Sequence, residues 1–275
     1  MSTFKAEMQS RARSASWPDI ILLTVLAALV LLAWWVLWIW GRSTQVHMLM
    51  HGSAHAAAMA AASPLQFALI FVIAWTLMTI AMMLPTTFPL LVLFERIVHG
   101  RPAAPWFLAV VIFGYLAVWV MVGAGLQVVA WLLQAGTNLI AWHRAAPLTA
   151  PLIAAAAILL IAGLYQFSSL KYACLEKCRS PLSFLTSRWR GGNESLQALR
   201  LGAEHGLFCV GCCWSLMLLM FLVSARSLVA MLVLGILMAL EKNFSWGRRL
   251  SAPLGFLLLA GAAATLLAGV WRELD

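Results

Sequence analysis

The sequence predicts an all-α fold, a polytopic bundle of about seven transmembrane helices. Hydrophobic residues make up 64% of the 275 residues and charged residues only 10%, which is outside the range of soluble domains. The apolar residues are concentrated in long runs with few charges, as membrane-spanning helices require. No polar segment is large enough to fold alone, so we predict a single integral membrane domain over residues 1–275.

The first apolar run, residues 20–40, has no charged residue and is long enough to cross the hydrocarbon core of a bilayer. It follows a basic segment, as the apolar part of a signal peptide does. It is, however, longer than a secretory apolar segment and ends in tryptophans instead of small residues. We therefore interpret it as a retained first helix that follows a cytoplasmic tail, residues 1–19.

Six further apolar runs lie at about 66–94, 106–134, 148–168, 203–223, 227–241 and 251–270. The second run contains Pro85 and Pro89, which predict a bend because proline lacks a backbone donor. The sixth run is short, so a re-entrant segment is the alternative to a crossing. We favour a crossing because it keeps Arg248 and Arg249 with the other basic residues.

The distribution of basic residues predicts the orientation. With the N-terminus in the cytoplasm, all but four of the 18 Lys and Arg residues fall on the inner side, the exceptions being Arg42, Arg144, Arg226 and Arg272. This agrees with the positive-inside rule. The formal net charge of +9 thus reflects mainly the basic residues on the predicted inner side of the membrane. We predict that the chain contacts the lipid bilayer and no nucleic acid.

All five cysteines fall on or near the predicted inner side, which argues against a disulfide scaffold. The first pair, Cys174 and Cys178, belongs to a predicted cytoplasmic loop over residues 171–201. If the fourth helix continues into this loop, the two thiols are one turn apart on one face, a spacing that can chelate an ion. Neighbouring Lys and Arg residues favour the thiolate form.

A denser cluster opens the fifth apolar run, where three thiols occur within five residues. Thiolates are unfavourable in lipid, so this clustering indicates metal binding or redox chemistry. Met217 and Met220 continue the same helical face, and we interpret them as packing residues. The candidate metal ligands in this region are Cys209, Cys212, Cys213, Glu204 and His205.

Glu241 is a further candidate ligand, at the inner end of the sixth run and followed by Lys242. A carboxylate at this depth needs a Lys, an Arg or a bound ion as its partner. A charge in the headgroup region is the alternative interpretation.

The predicted external loop, residues 41–64, has histidines at every fourth position, interspersed with methionines. Imidazole and thioether groups together suit copper better than magnesium or calcium. We predict that this segment collects metal outside the membrane, although a solvated loop is the simpler alternative. The candidate ligands are His47, Met48, His51, His55 and Met59.

Four motifs resemble a bacterial family of predicted metal-binding integral membrane proteins, a domain family of unknown function. They are AMMLPTTFPLLVLFERI, LKYACLEKCRSP, GLFCVGCCWSLMLLMF and ALEKNFSWGRR, within residues 65–260. The resemblance implies a protein of the bacterial cytoplasmic membrane that binds metal through its five cysteines.

We therefore hypothesise a membrane protein that binds a soft metal ion and transports or delivers it, with copper(I) favoured and zinc as the alternative. Two other hypotheses fit the same residues: a membrane thiol-disulfide oxidoreductase, and an assembly partner that passes metal to another metalloprotein or metallochaperone. We predict no catalytic residue, and the absence of a phosphate-binding loop argues against ATP-driven pumping by this chain.

Overall fold

The computed structural model describes residues 17–42, 64–139, 150–189, 192–222, 228–244 and 246–274. In these ranges every regular element is helical, which confirms the all-α class. Two short 3₁₀ turns, Leu84–Thr87 and Gly247–Leu250, accompany the α-helices. The α-helices are α1 (Trp17–Arg42), α2 (Pro64–Met82), α3 (Phe88–Val98), α4 (Ala104–Leu139), α5 (Ala150–Tyr165), α6 (Ser169–Arg179), α7 (Pro181–Arg188), α8 (Glu194–Leu222), α9 (Leu228–Asn243) and α10 (Ser251–Leu274).

Several of these helices are long and apolar enough to cross a membrane. Within the described ranges four single helices meet this condition, at Ile20–Trp40, Ala104–Leu132, Glu194–Met220 and Gly247–Gly269. The number rises to six if two bent pairs, α2 with α3 and α5 with α6, each form one span. The predicted count of seven is not confirmed, because α9, which corresponds to the sixth run, has only 16 residues.

The bend between α2 and α3 follows from Pro85. Proline has no N–H group, so the carbonyl of Ala81, four residues earlier, loses its helical donor. The indole N–H of Trp34 in α1 donates to this carbonyl instead, at 3.1 Å. The chain continues through the 3₁₀ turn, and α2 and α3 are inclined by 47°, which confirms the predicted effect of the prolines.

The predicted cytoplasmic loop over residues 171–201 is largely helical. It contains most of α6, the whole of α7 and the first turns of α8. The helix α8 begins at Glu194, where Asn193 caps it by accepting a hydrogen bond from the Leu196 N–H at 3.1 Å. The apolar run at 203–223 is therefore the later part of a longer helix, whose start is set by a polar cap instead of by hydrophobicity.

The described residues form two compact units. Unit 1 is drawn from residues 1–123 and 174–210, and unit 2 from 124–173 and 211–275. The core of unit 1 contains an aromatic group in which Trp189 packs edge-on against Phe94, with ring centroids 5.0 Å apart, and against Phe107 at 6.1 Å. Unit 2 is built largely on the packing of α5 against α10. Just beyond the end of α5, the Phe167 ring lies 5.1 Å from the Phe256 ring of α10.

Within unit 1, α4 and α8 approach each other at backbone distance. A Cβ atom at Gly202 of α8 would lie 2.0 Å from the carbonyl oxygen of Val111, and one at Gly114 of α4 would lie 2.5 Å from that of Leu199. Only residues without a side chain allow this contact. Together with Gly206, Gly202 forms a G-x-x-x-G pair, a pattern typical of closely packed membrane helices.

Candidate metal-binding sites

All five cysteines lie in described helices, and none forms a disulfide bond. Cys174 and Cys178 are one turn apart in α6, as predicted for a continued helix, although α6 is inclined by 63° to α5. Cys174 is buried and Cys178 is half-buried. The last turn of α6 carries Lys177 and Arg179, so this pair lies beside positive charge.

In unit 1, Cys209 lies in a polar contact with α4. Its thiol is 1% exposed and shares a hydrogen bond of 3.1 Å with the Tyr115 hydroxyl. His205, one turn earlier on α8 and 4% exposed, has its ring 6.0 Å from that of Tyr115 and 5.8 Å from that of Phe184. A cavity of about 10 Å³, large enough for one water molecule, is lined by Thr87, Tyr115 and His205 among others.

Glu204 precedes His205 on α8, but its side chain is engaged elsewhere. Its carboxylate forms an ion pair with the Arg188 guanidinium of α7 at 2.7 Å. Both side chains are partly exposed, so this pair contributes little to stability. Tyr115 therefore lies beside both the Cys209 thiol and the His205 ring. The Glu204 carboxylate instead pairs with the Arg188 guanidinium.

In unit 2, α8 carries a buried group of soft donors. Cys212, Cys213, Met217 and Met220 are each at most 9% exposed. Cys213 and Met217 are one helical turn apart and therefore share a face. This segment is held against α5 by Tyr165, whose hydroxyl donates to the Gly211 carbonyl and whose ring packs edge-on against Trp214 at 4.9 Å.

A buried ammonium group accompanies these thiols. Lys242 of α9 is 5% exposed, and its Nζ donates to the Sγ of Cys213 at 3.9 Å. The lysine that follows Glu241 in the sequence is therefore part of the thiol environment.

Glu241 belongs to a separate polar network in unit 2. The Lys171 ammonium, 0% exposed, donates to both carboxylate oxygens of Glu241, at 2.8 Å and 3.0 Å. It also donates to Gln166 Oε1. The Ser251 hydroxyl donates to the same carboxylate at 2.8 Å. Lysine is one of the partners that the sequence predicted for Glu241, and in the structure the carboxylate forms an ion pair with Lys171.

Among the described residues, no group of three or more His, Cys, Asp or Glu side chains is close enough to hold one metal ion. The external candidates lie outside the described residues. These are His47, Met48, His51, His55 and Met59. The ligand set therefore stays a prediction. Within it, the thiols of α8 are the candidate ligands whose burial and contacts are given above.

A family model named PpoB2 and described as a copper chaperone matches residues 72–265 of this chain. The match covers well over half of the sequence and includes all five cysteines. This chain belongs to the PpoB2 copper chaperone family. No curated protein and no solved structure matches it. Membership of a copper chaperone family supports a copper-related role and agrees with the soft donors described above.

The structure shows side chains from distant parts of the sequence around the candidate ligands in this copper chaperone family member. Tyr115 contacts Cys209, Lys171 pairs with Glu241, and Ser251 completes the network. Tyr115 and Lys171 are far from their partners in sequence, so no local spacing indicates the contacts. A sequence signal existed for Lys171, since a lysine next to an apolar run requires a polar partner if it is buried.

Proposed function

We propose that this protein is a multi-pass copper(I) chaperone of the bacterial cytoplasmic membrane, with its N-terminus in the cytoplasm. It binds copper(I) through the buried thiols of α8 and delivers it to a partner metalloprotein or metallochaperone. The family match together with the buried sulfur group of unit 2 is the observation that carries this proposal. The excess of Lys and Arg on one side of the spans supports the orientation.

The residues in unit 2 fit copper(I) as a cargo. Cys212 and Cys213 offer thiolates and Met217 offers a thioether, and soft sulfur ligands of this kind select copper(I) over hard cations. Structural zinc is usually held by four Cys or His ligands. Cys212, Cys213, Met217 and Met220 are each buried on α8, and two of these four sulfur groups are thioethers, a composition that favours copper(I) over zinc.

Two further segments belong to the proposal. The His and Met residues at 47–59 collect copper on the outer side, where imidazole and thioether groups suit the metal. Cys174 and Cys178, one turn apart near positive charge, form a second thiol pair through which copper is exchanged on the inner side. In this proposal the two segments lie on opposite sides of the bilayer that holds the chain.

The test is metal analysis of the purified protein after anaerobic loading with copper(I). We expect wild-type protein to retain about one copper ion per chain and Cys212→Ser/Cys213→Ser to lose most of it, because copper binding requires the thiolates. Leu216→Ala is the matched control, since Leu216 lies in the same helix and is 0% exposed. This variant creates a packing defect but removes no sulfur, so its copper content should equal that of the wild type.

Thermal unfolding in detergent is measured in parallel, so that loss of copper is compared only among folded variants. Equal copper content in the wild type and the double cysteine variant would contradict the proposal.

A further inference from the structure

A groove lies between α1 and α3 of unit 1, and its walls are apolar except at one end. Its volume is about 320 Å³. The lining residues are Leu23 of α1 and Phe88, Pro89, Val92, Leu93 and Arg96 of α3. A ligand of this groove therefore needs an apolar part and a group that suits a guanidinium.

The groove follows from the sequence of α3 and from the bend before it. Phe88, Val92 and Arg96 are four residues apart, so they lie on one face of α3. The missing N–H of Pro85 inclines α3 by 47° to α2. Because α1 packs against both α2 and α3, it cannot lie parallel to both of them. A gap beside one of the two helices is the geometric consequence.

The charged end of the groove coincides with the ends of apolar segments. Arg96 lies two residues before Val98, where the bent span formed by α2 and α3 ends. Leu23 lies three residues after Ile20, where the first span begins. These positions correspond to the headgroup level of a bilayer, and Phe88 lies about 12 Å further along the helix toward its centre. Basic pockets between membrane helices at this level bind anionic lipid headgroups.

We propose that the groove binds a phospholipid whose headgroup carries a net negative charge. The phosphate contacts Arg96, and one acyl chain lies along Phe88, Val92 and Leu93. Such a lipid supplies both parts that the lining requires, an apolar chain and a charge opposite to that of the guanidinium. The inference takes the membrane location and orientation from the proposed function, which place this end of the groove at the cytoplasmic leaflet, and it is independent of copper binding.

The donor geometry of Arg96 suits this role. Its side chain is half-buried and also interacts within the protein. A guanidinium has five N–H donors in a planar fork, so a contact with the protein leaves donors for a phosphate. Arg96 can therefore bind the headgroup while helix packing holds its side chain in place.

Native mass spectrometry of the purified full-length protein tests the proposal. After delipidation in detergent, the protein is titrated with dioleoyl phosphatidylglycerol and, separately, with dioleoyl phosphatidylcholine, which has the same chains and no net charge. We expect the wild type to bind phosphatidylglycerol about fivefold more tightly, the effect of one basic residue near a membrane surface. Arg96→Gln should bind both lipids equally. Val92→Phe, which fills the groove, should weaken the binding of both lipids by a similar factor.

Arg200→Gln is the matched control, because Arg200 is an exposed basic residue of the same unit that does not line the groove. This variant should keep the wild-type preference. Equal binding of the two lipids by the wild type would overturn the inference, and so would a preference that survives Arg96→Gln. A dimer that Val92→Phe dissociates would identify a second copy of the chain as the occupant and would overturn it as well.

Thermal unfolding in detergent shows which variants are folded. Unchanged phosphatidylglycerol binding by Val92→Phe would also contradict the inference, so the test does not depend on the folding of Arg96→Gln. Failure of this inference is distinguishable from failure of the proposed function, because the copper(I) content of the wild type is measured separately and does not require the lipid.

Discussion

Glu241→Gln is expected to lower the free energy of unfolding by about 3–5 kcal/mol, the range found when one partner of a buried ion pair is removed. The Lys171 ammonium is 0% exposed, and its carboxylate partner at 2.8 Å would be replaced by a neutral amide. The charge would then remain buried without compensation. The measurement is chemical denaturation in detergent micelles, monitored by circular dichroism.

Two variants separate this effect from a general loss of stability. Lys171→Met/Glu241→Leu removes both charges and should recover most of the loss, because apolar residues of similar volume can replace a buried pair. Glu204→Gln breaks the partly exposed pair with Arg188 and should change stability by at most about 1 kcal/mol. If Glu241→Gln were no more destabilising than Glu204→Gln, Glu241 would not be the structural partner of Lys171.

Gly202→Ala is expected to destabilise unit 1 by about 1–3 kcal/mol, as overpacking of a close contact does. The new Cβ would lie 2.0 Å from the Val111 carbonyl oxygen and 3.1 Å from the Tyr115 nitrogen. Backbone atoms cannot rotate away as a side chain does, so α4 and α8 must separate. This also lengthens the contact between the Tyr115 hydroxyl and the Cys209 thiol, which joins the same two helices.

Gly125→Ala is the control for this substitution. Gly125 also lies in a helix, but nothing lies within 4 Å of a Cβ atom there. Alanine should therefore stabilise the protein by about 0.5–1 kcal/mol through its higher helix propensity. Thermal unfolding of both variants gives the comparison, and two shifts of the same sign would contradict the close approach of α4 and α8.

The helical class was predictable from the sequence because the apolar length of a segment is a local property. The bend at Pro85 was predictable for the same reason, since a missing N–H acts within one turn. The count of spans was not, because the 16 residues of α9 are close to the length limit.

The surroundings of the candidate ligands depend on contacts between distant parts of the chain. Glu241 is 70 residues from Lys171, and Cys209 is 94 residues from Tyr115. Sequence spacing indicates which side chains share a helical face, but it does not indicate which helix lies opposite. For Glu241 the sequence therefore established the need for a partner, and the packing of distant helices supplies Lys171 in that role.

The central claim is that buried thiols of α8 hold copper(I), and X-ray absorption at the copper K-edge tests it most directly. The sample is wild-type protein loaded anaerobically with one equivalent of copper(I), beside Cys212→Ser/Cys213→Ser. We predict a copper(I) edge and nearest neighbours dominated by sulfur in the wild type, with that sulfur signal lost in the double variant. Nearest neighbours consisting only of nitrogen or oxygen in the wild type would contradict the claim.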